Sequence, residues 1–299
     1  MRAMNSVWNS PAWLLIVTGS LLGLTLPFGK LSAEAGVPPA VWALLVSAGT
    51  GLVLVTALLA SGARLRLDAH RLRYFIVTAA ISYAVPNLLM FSAMPHLGAG
   101  HTGIMFTLSP VITLLLSLIL GVRRPNALGV AGIAAGFGGA VLVASTRGEA
   151  GAPAALSWVL IGLLIPVALA TGNIYRTWDW PKQAGTIELA AGSHLAAAAM
   201  LMIAVVATGD AGAIGRLGEL KLLSAAQIAS ASSMFVFFFR LQAVGGPVYL
   251  SQIGYVAAAV GLVSGTLFLG ERYEPATWLG ALIVGLGIAM TTRAQWGER

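Results

Sequence analysis

The chain has 299 residues, 58% of them apolar and 9% charged, with a net charge of +7 and no cysteine. A soluble domain carries roughly 25% charged residues, so the composition excludes a water-soluble fold and points to a chain whose solvent is the bilayer. The absence of cysteine excludes a disulfide framework and a thiolate metal site, and the basic excess sits in short loops between apolar runs, where it reads as a topology signal rather than a nucleic-acid surface.

Hydropathy predicts ten apolar runs, near 12–32, 39–60, 72–94, 98–121, 126–146, 155–176, 186–208, 222–242, 247–269 and 275–292. Each fits a helix of about 20 residues crossing about 30 Å of hydrocarbon. The first run is too long for a cleavable signal peptide and no Ala-x-Ala-like site follows it in a polar setting. Turn signals separate the runs: Val37-Pro38-Pro39, Arg123-Arg124-Pro125, Gly151-Ala152-Pro153, Asp179-Trp180-Pro181 and Glu274-Pro275. The longest loop, about 209–221, has no apolar core of its own.

The stretch 97–121 is echoed at 246–270, an offset of 149 residues. Leu118, Leu120 and Gly121 meet Leu267, Leu269 and Gly270, and at the same offset Gly23 falls on Gly172, Arg123 on Arg272 and Gly136 on Gly285. Several matches at one ungapped offset, with matching hydropathy, indicate a duplication. The expected fold is an all-α membrane protein of ten transmembrane helices in two inverted five-helix repeats, 1–149 and 150–299, forming one transmembrane unit. Five spans is an odd number, so the second copy enters the membrane upside down. With a cytoplasmic N-terminus, the inner side carries Arg64, Arg66, Arg71, Arg73, Arg123, Arg124, Arg176 and others, and both termini lie inside. The basic loops of the first half lose basic residues in the second, as inversion requires.

Inverted repeats point to alternating access around a midplane site. Pro27, Pro86, Pro110 and Pro166 interrupt four spans and are candidate kinks or gating points, against the plainer reading of packed structural bends. Tyr83, Asn87, Met90 and Met94 share one helical face. Thr102, Ser109 and Thr113 line one side of the fourth span, with His101 near its outer end; Asn173 lies on the face of Pro166; Tyr249, Gln252 and Tyr255 line one side of the ninth span. An amide in hydrocarbon without a partner costs several kcal/mol, so Asn87, Asn173 and Gln252 face partners or water, whether as a site or as interhelical hydrogen bonds. Tyr83, Asn87, His101, Asn173, Tyr249, Gln252 and Tyr255 are the candidate substrate-binding side chains. No Asp or Glu lies at the centre of a span, and His194 is the one mid-depth group suited to a proton relay. A site poor in fixed charge suits a neutral, zwitterionic or mixed solute. No catalytic residue, metal or cofactor is expected.

Small-residue spacings at Gly19/Gly23, Gly132/Gly136 and Gly261/Gly265 allow close helix approach. The fifth and tenth spans are almost free of polar groups and are a candidate dimer face, leaving a monomer or a weak homodimer. Phe235, Phe237, Phe238 and Phe239 surround the eighth helix, so some of them are expected to face lipid.

Ten spans in two halves, and the tail Leu267-Phe268-Leu269-Gly270-Glu271-Arg272 leading into Pro275, resemble the EamA type of the drug/metabolite transporter superfamily. The first-half tail, Leu120-Gly121-Val122-Arg123, lacks the acid. Met94-Pro95-His96-Leu97 and the span after it look most like bacterial amino acid exporters of the YddG type. The resemblance implies broad export of amino acids and related metabolites across the cell inner membrane, and it supplies no individual site residue. The expected function is a facilitative carrier of amino acids. Its rivals are a proton-coupled multidrug or other metabolite exporter, a membrane scaffold and an intramembrane enzyme. The enzyme would need a nucleophile–base pair or metal cluster at one depth, which the scattered histidines do not offer.

Overall fold

The structure, a computed structural model, describes residues 8–121, 126–145, 155–270, 272 and 274–296. The arginines at 123 and 124, and the turn signals at 123–125 and 151–153, lie outside the described residues. The described chain is helical, with no strand among its residues. Helix α1 (Pro11–Glu34) starts where the Ser10 side chain accepts a hydrogen bond from the Trp13 N–H at 3.4 Å, with Pro11 presetting the first turn. Helix α2 (Pro39–Ala60) starts on the proline pair Pro38-Pro39. Helix α3 (Ala69–Thr78) is capped by Asp68, which accepts from the Arg71 N–H at 3.0 Å.

Helix α3 then widens into a π-helical stretch (Ala79–Ala84) before continuing as α4 (Val85–Phe106). The cause is Pro86. It has no N–H to give the carbonyl of Ser82 four residues back, and the Val85 N–H reaches back five residues to Ala80 instead. Such π-bulges mark functional sites often, and this one sets Ser82, Tyr83 and Asn87 toward the interior.

The remaining helices are α5 (Ser109–Ile119), α6 (Ala127–Ser145), α7 (Leu156–Trp178), α8 (Thr186–Ala207), α9 (Lys221–Ser251), α10 (Ile253–Phe268) and α11 (Pro275–Trp296). A 3-10 helix (Asp210–Gly218) precedes α9. The predicted boundary between the runs 72–94 and 98–121 is helical, with Pro95 inside α4, and the helical run breaks at Thr107-Leu108 instead. Pro110 therefore sits in the first turn of α5, where a missing N–H costs no helix bond; it starts a helix rather than kinking one. Pro27 and Pro166 do lie inside α1 and α7. Helix α9 is broken at Gly246 (φ 74°, ψ 179°), beside Pro247.

Six helices among the described residues are long and apolar enough to cross a membrane, and four shorter apolar helices accompany them. Their outer faces are apolar: Ile119, Ile203, Phe268 and Leu282 are more than two-thirds exposed. Such side chains in water would aggregate; in lipid they need no cover.

The main helix contacts are α6 with α11, α2 with α8, α1 with α10 and α9, and α4 with α7. Glycines make the closest of these possible. A Cβ on Gly132 would stand 2.7 Å from the Gly287 carbonyl oxygen, and one on Gly136 would stand 2.6 Å from the Tyr255 ring. The glycine faces of α6 and α11 thus meet each other within one chain. Gly121 and Gly270, paired at the offset of 149, end α5 and α10 in the same left-handed conformation, φ 64° and 66°. Arg240 in α9 binds Asn9 at the start of α1, while Arg216 donates to the Gly36 carbonyl beyond its end. The last turn of α7 bonds α9 two residues past Arg240, through Gln242. Helix α1 therefore begins, and α7 ends, at the same face.

Three of the four phenylalanines of α9 are buried: Phe235 and Phe238 line the cavity and Phe239 packs in the core. Phe237 is half-buried, its ring met edge-on by Trp8 and Trp13 at centroid distances of 5.6 and 5.3 Å.

Candidate functional site

A cavity of about 70 Å³ lies among α1, the π-helical stretch, α4, α7, α9 and the start of α10. By a measure of roughly 10–15 Å³ per water it has room for on the order of five waters. Its walls are mostly apolar, with Met90, Met234, Phe235 and Phe238 prominent. The polar groups on them are few: Ser82, Tyr83, Asn87, Ser109, Asn173 and Arg176 carry most of the hydrogen-bonding capacity. Small-molecule sites have this make-up, an apolar wall with a few placed polar groups.

Arg176, in the last turn of α7, dominates the electrostatics. It is 2% exposed. Its Nε donates to Gln242 Oε1 at 2.8 Å, one Nη donates to Asn173 Oδ1 at 2.6 Å, and the other donates to the Ser82 hydroxyl. The guanidinium carbon lies 4.8 Å from the centre of the Phe238 ring, a cation–π distance. Gln242 is held in turn: its Nε2 donates to the Asn173 carbonyl at 3.0 Å and to Thr177 Oγ1 at 2.9 Å. Gly172 gives the cluster its space, since a Cβ there would collide with Ser82 and stand 3.1 Å from the Arg176 guanidinium. Sequence reasoning placed Arg176 among the loop cations at the inner face. The structure buries it in the cavity wall, because partners from α9 and the π-helical stretch converge on it. The available signal was Asn173, three residues earlier on the same helical face.

Of the seven predicted side chains, Tyr83, Asn87 and Asn173 line the cavity. Asn87 is half-buried and has no hydrogen-bond partner in the protein among the described residues. The Tyr83 hydroxyl likewise has none. Tyr249, Gln252 and Tyr255 are buried away from the cavity. Gln252 accepts from Thr291 in α11, and the Tyr255 hydroxyl donates to the Ile133 carbonyl in α6 at 3.3 Å. Tyr249 packs in the core around Phe239 and Tyr74. The side chain of His101 lies outside the described residues. Among the prolines, Pro86 lines the cavity. His194 is fully buried behind the cavity wall, stacked on Tyr83 with centroids 4.2 Å apart and edge-on to Phe235 at 4.0 Å. Neither of its ring nitrogens has a hydrogen-bond partner among the described residues.

On one face of the molecule, ionic contacts link α3 to the α7–α8 turn and the first turn of α8. Arg71 donates through Nε to Glu188 at 3.1 Å, also pairs with Asp68, and reaches the Lys182 carbonyl at 3.4 Å. Asp179 accepts from Arg73 at 2.6 Å and from the Tyr175 hydroxyl at 2.6 Å, with His70 Nε2 at 3.1 Å. Burial pushes the Asp179 carboxyl up, but the hydrogen bonds from Tyr175, Arg73 and His70 together outweigh it and hold the group below its ordinary value. Asp68 is lowered by the Arg71 N–H and guanidinium. Both folded values lie below the unfolded ones, so this contribution to stability is complete above the ordinary carboxylate pKa of about 4 and is lost as pH falls through the folded values. The melting temperature in detergent should hold from about pH 7 to 5 and fall below about pH 4. Asp179→Asn should lower the neutral-pH value and flatten part of that acid loss; an unchanged acid profile would refute the assignment.

No group of three or more metal-binding side chains occurs among the described residues. Residues 9–145 match the model of the EamA-like transporter family. That match and the spanning helices describe a multi-pass membrane protein. No curated protein matches the chain. A solved structure, titled only as the crystal structure of a protein, is similar over 96% of this chain and 96% of its own, with a TM-score of 0.68 and 19% identity, a likeness of fold.

Proposed function

We propose that the chain is a secondary carrier that exports amino acids and related small metabolites by alternating access, built from ten spans in two inverted five-helix repeats. The observation that carries this reading is the cavity. Its walls come from α1, α4 and the π-helical stretch on one side and from α7, α9 and α10 on the other, as a site shared by two halves requires. The opposed directions of α1 and α7, and the matching ends of α5 and α10, support the inversion. The contacts of α1 with α10 correspond, under the offset of 149, to those of α7 with α4 and α5. Those of α2 with α8 and of α6 with α11 correspond to themselves. The ionic contacts between α3 and α7–α8 are the bonds that opening of that face would break.

The carrier runs downhill without a coupled proton. No carboxylate lines the cavity among the described residues, and His194 sits behind Tyr83 rather than in the wall. A cationic drug would meet Arg176, so the multidrug reading is disfavoured. The basic-residue balance supports cytoplasmic termini, and the resemblance to bacterial exporters supports an inner membrane. The test is counterflow of labelled amino acids by the purified protein in liposomes, with and without a pH gradient. Exchange without a gradient is expected and should survive His194→Ala. Exchange that requires the gradient and is lost in His194→Ala would overturn the uncoupled reading, and no flux of any amino acid would overturn the carrier.

A further inference from the structure

Resting on the carrier reading, we propose that Arg176 is an anion receptor whose ligand is the carboxylate of the solute, so that a carboxylate is required for binding and an amino group is not. The protein itself supplies the contrast. Arg71, also buried beside a helix end, is neutralised by Glu188 and Asp68. Arg176 is more buried, yet its partners are the neutral Gln242, Asn173 and Ser82 and the face of Phe238. No carboxylate pairs with it among the described residues. A buried cation without a counter-charge is costly, and a solute carboxylate would remove that cost.

The geometry leaves room for it. A guanidinium has five N–H groups, and the three hydrogen bonds above engage one each of Nε, Nη1 and Nη2. Two N–H groups stay available on a side chain that lines the cavity, the number a carboxylate takes in a two-point contact. A phosphate dianion would need a second cation, and the cavity wall contributes none among the described residues. An ammonium group finds no acid there either, only the amide of Asn87, the Tyr83 hydroxyl and aromatic faces. The apolar surface of Met90, Met234 and Phe235 would take an aliphatic or aromatic remainder. The ligand class is thus a small monocarboxylate with an apolar body, amino acids included.

The test uses four probes of one shape on the purified wild-type protein: leucine, 4-methyl-2-oxopentanoate, leucinamide and leucinol. Thermal stabilisation in detergent reads binding, and liposome counterflow reads transport. Leucine and the oxo acid should bind, and the amide and alcohol should bind at least about tenfold more weakly, the scale of losing a charge-assisted two-point contact. Arg176→Gln should abolish the discrimination, and Arg176→Lys should restore part of it. Equal binding of leucinamide, or no binding by either carboxylate, overturns the proposal without any variant having to fold. Flux of leucinamide at the rate of leucine would keep the carrier and refute the receptor. Carboxylate binding without flux would keep the receptor and refute the carrier.

Discussion

Gln242→Leu is expected to lower stability by about 3 kcal/mol, among the larger effects a single side chain can have, because it strips a buried charge of a hydrogen-bond acceptor. Gln242 accepts from Arg176 Nε and donates to the Asn173 carbonyl and to Thr177 Oγ1, so one substitution strands the Arg176 Nε–H and removes two further bonds between α7 and α9, although the Thr177 hydroxyl keeps its own bond to the Asn173 carbonyl. Gln242→Glu keeps the shape and adds the counter-charge that Arg176 lacks. Its carboxylate cannot donate to the Asn173 carbonyl as the amide does, so it should recover part of the stability lost in the leucine variant while occupying the cation that a solute carboxylate needs. Melting in detergent and counterflow, run on both variants, separate the roles: Leu least stable, Glu more stable but unable to carry carboxylates. A Glu variant that transports normally would mean Arg176 serves structure alone.

The second large effect lies outside the cavity wall. Gly136→Leu should destabilise the packing of α6 against α10 by about 1–3 kcal/mol or more, because its first carbon would already overlap the Tyr255 ring. The Tyr255 hydroxyl would then lose the Ile133 carbonyl. Gly138, two residues on, has nothing within 4 Å of a Cβ built on it, so Gly138→Leu should leave the melting temperature nearly unchanged. Equal loss in both variants would point to helix-wide sensitivity to glycine replacement rather than to this contact.

The two glycines also show what the sequence could and could not convey. Helix positions followed from apolar runs because lipid demands about 20 apolar residues per crossing; α2 occupies the predicted 39–60. The tails ending in Gly121 and Gly270 were legible because a left-handed residue at a helix end favours glycine, and both adopt it. Hydrogen-bonding partners were not legible. Tyr249, Gln252 and Tyr255 recur at a spacing that puts them on one polar helical face, as Tyr83 and Asn87 do. Spacing tells which residues share a face, not which helix meets it. The first set meets α6, α11 and the aromatic core; the second lies in the cavity wall, Tyr83 with its ring packed on His194. Arg176 was missed for the same reason. At the end of an apolar run it reads as a loop cation, and only Gln242 and Ser82, 66 and 94 residues away in sequence, make it part of the interior.

The natural absence of cysteine allows the central claim, that this cavity is where the solute is carried, to be tested with single thiols. Asn87→Cys places one in the cavity wall, and Phe268→Cys places one on the lipid-facing outside. After reconstitution, each variant is treated with a small methanethiosulfonate reagent, with and without excess leucine, and counterflow is measured. Asn87→Cys should be labelled, labelling should stop flux and leucine should slow it, while labelling of Phe268→Cys should leave flux intact. Full flux through a protein labelled at position 87 would contradict the claim.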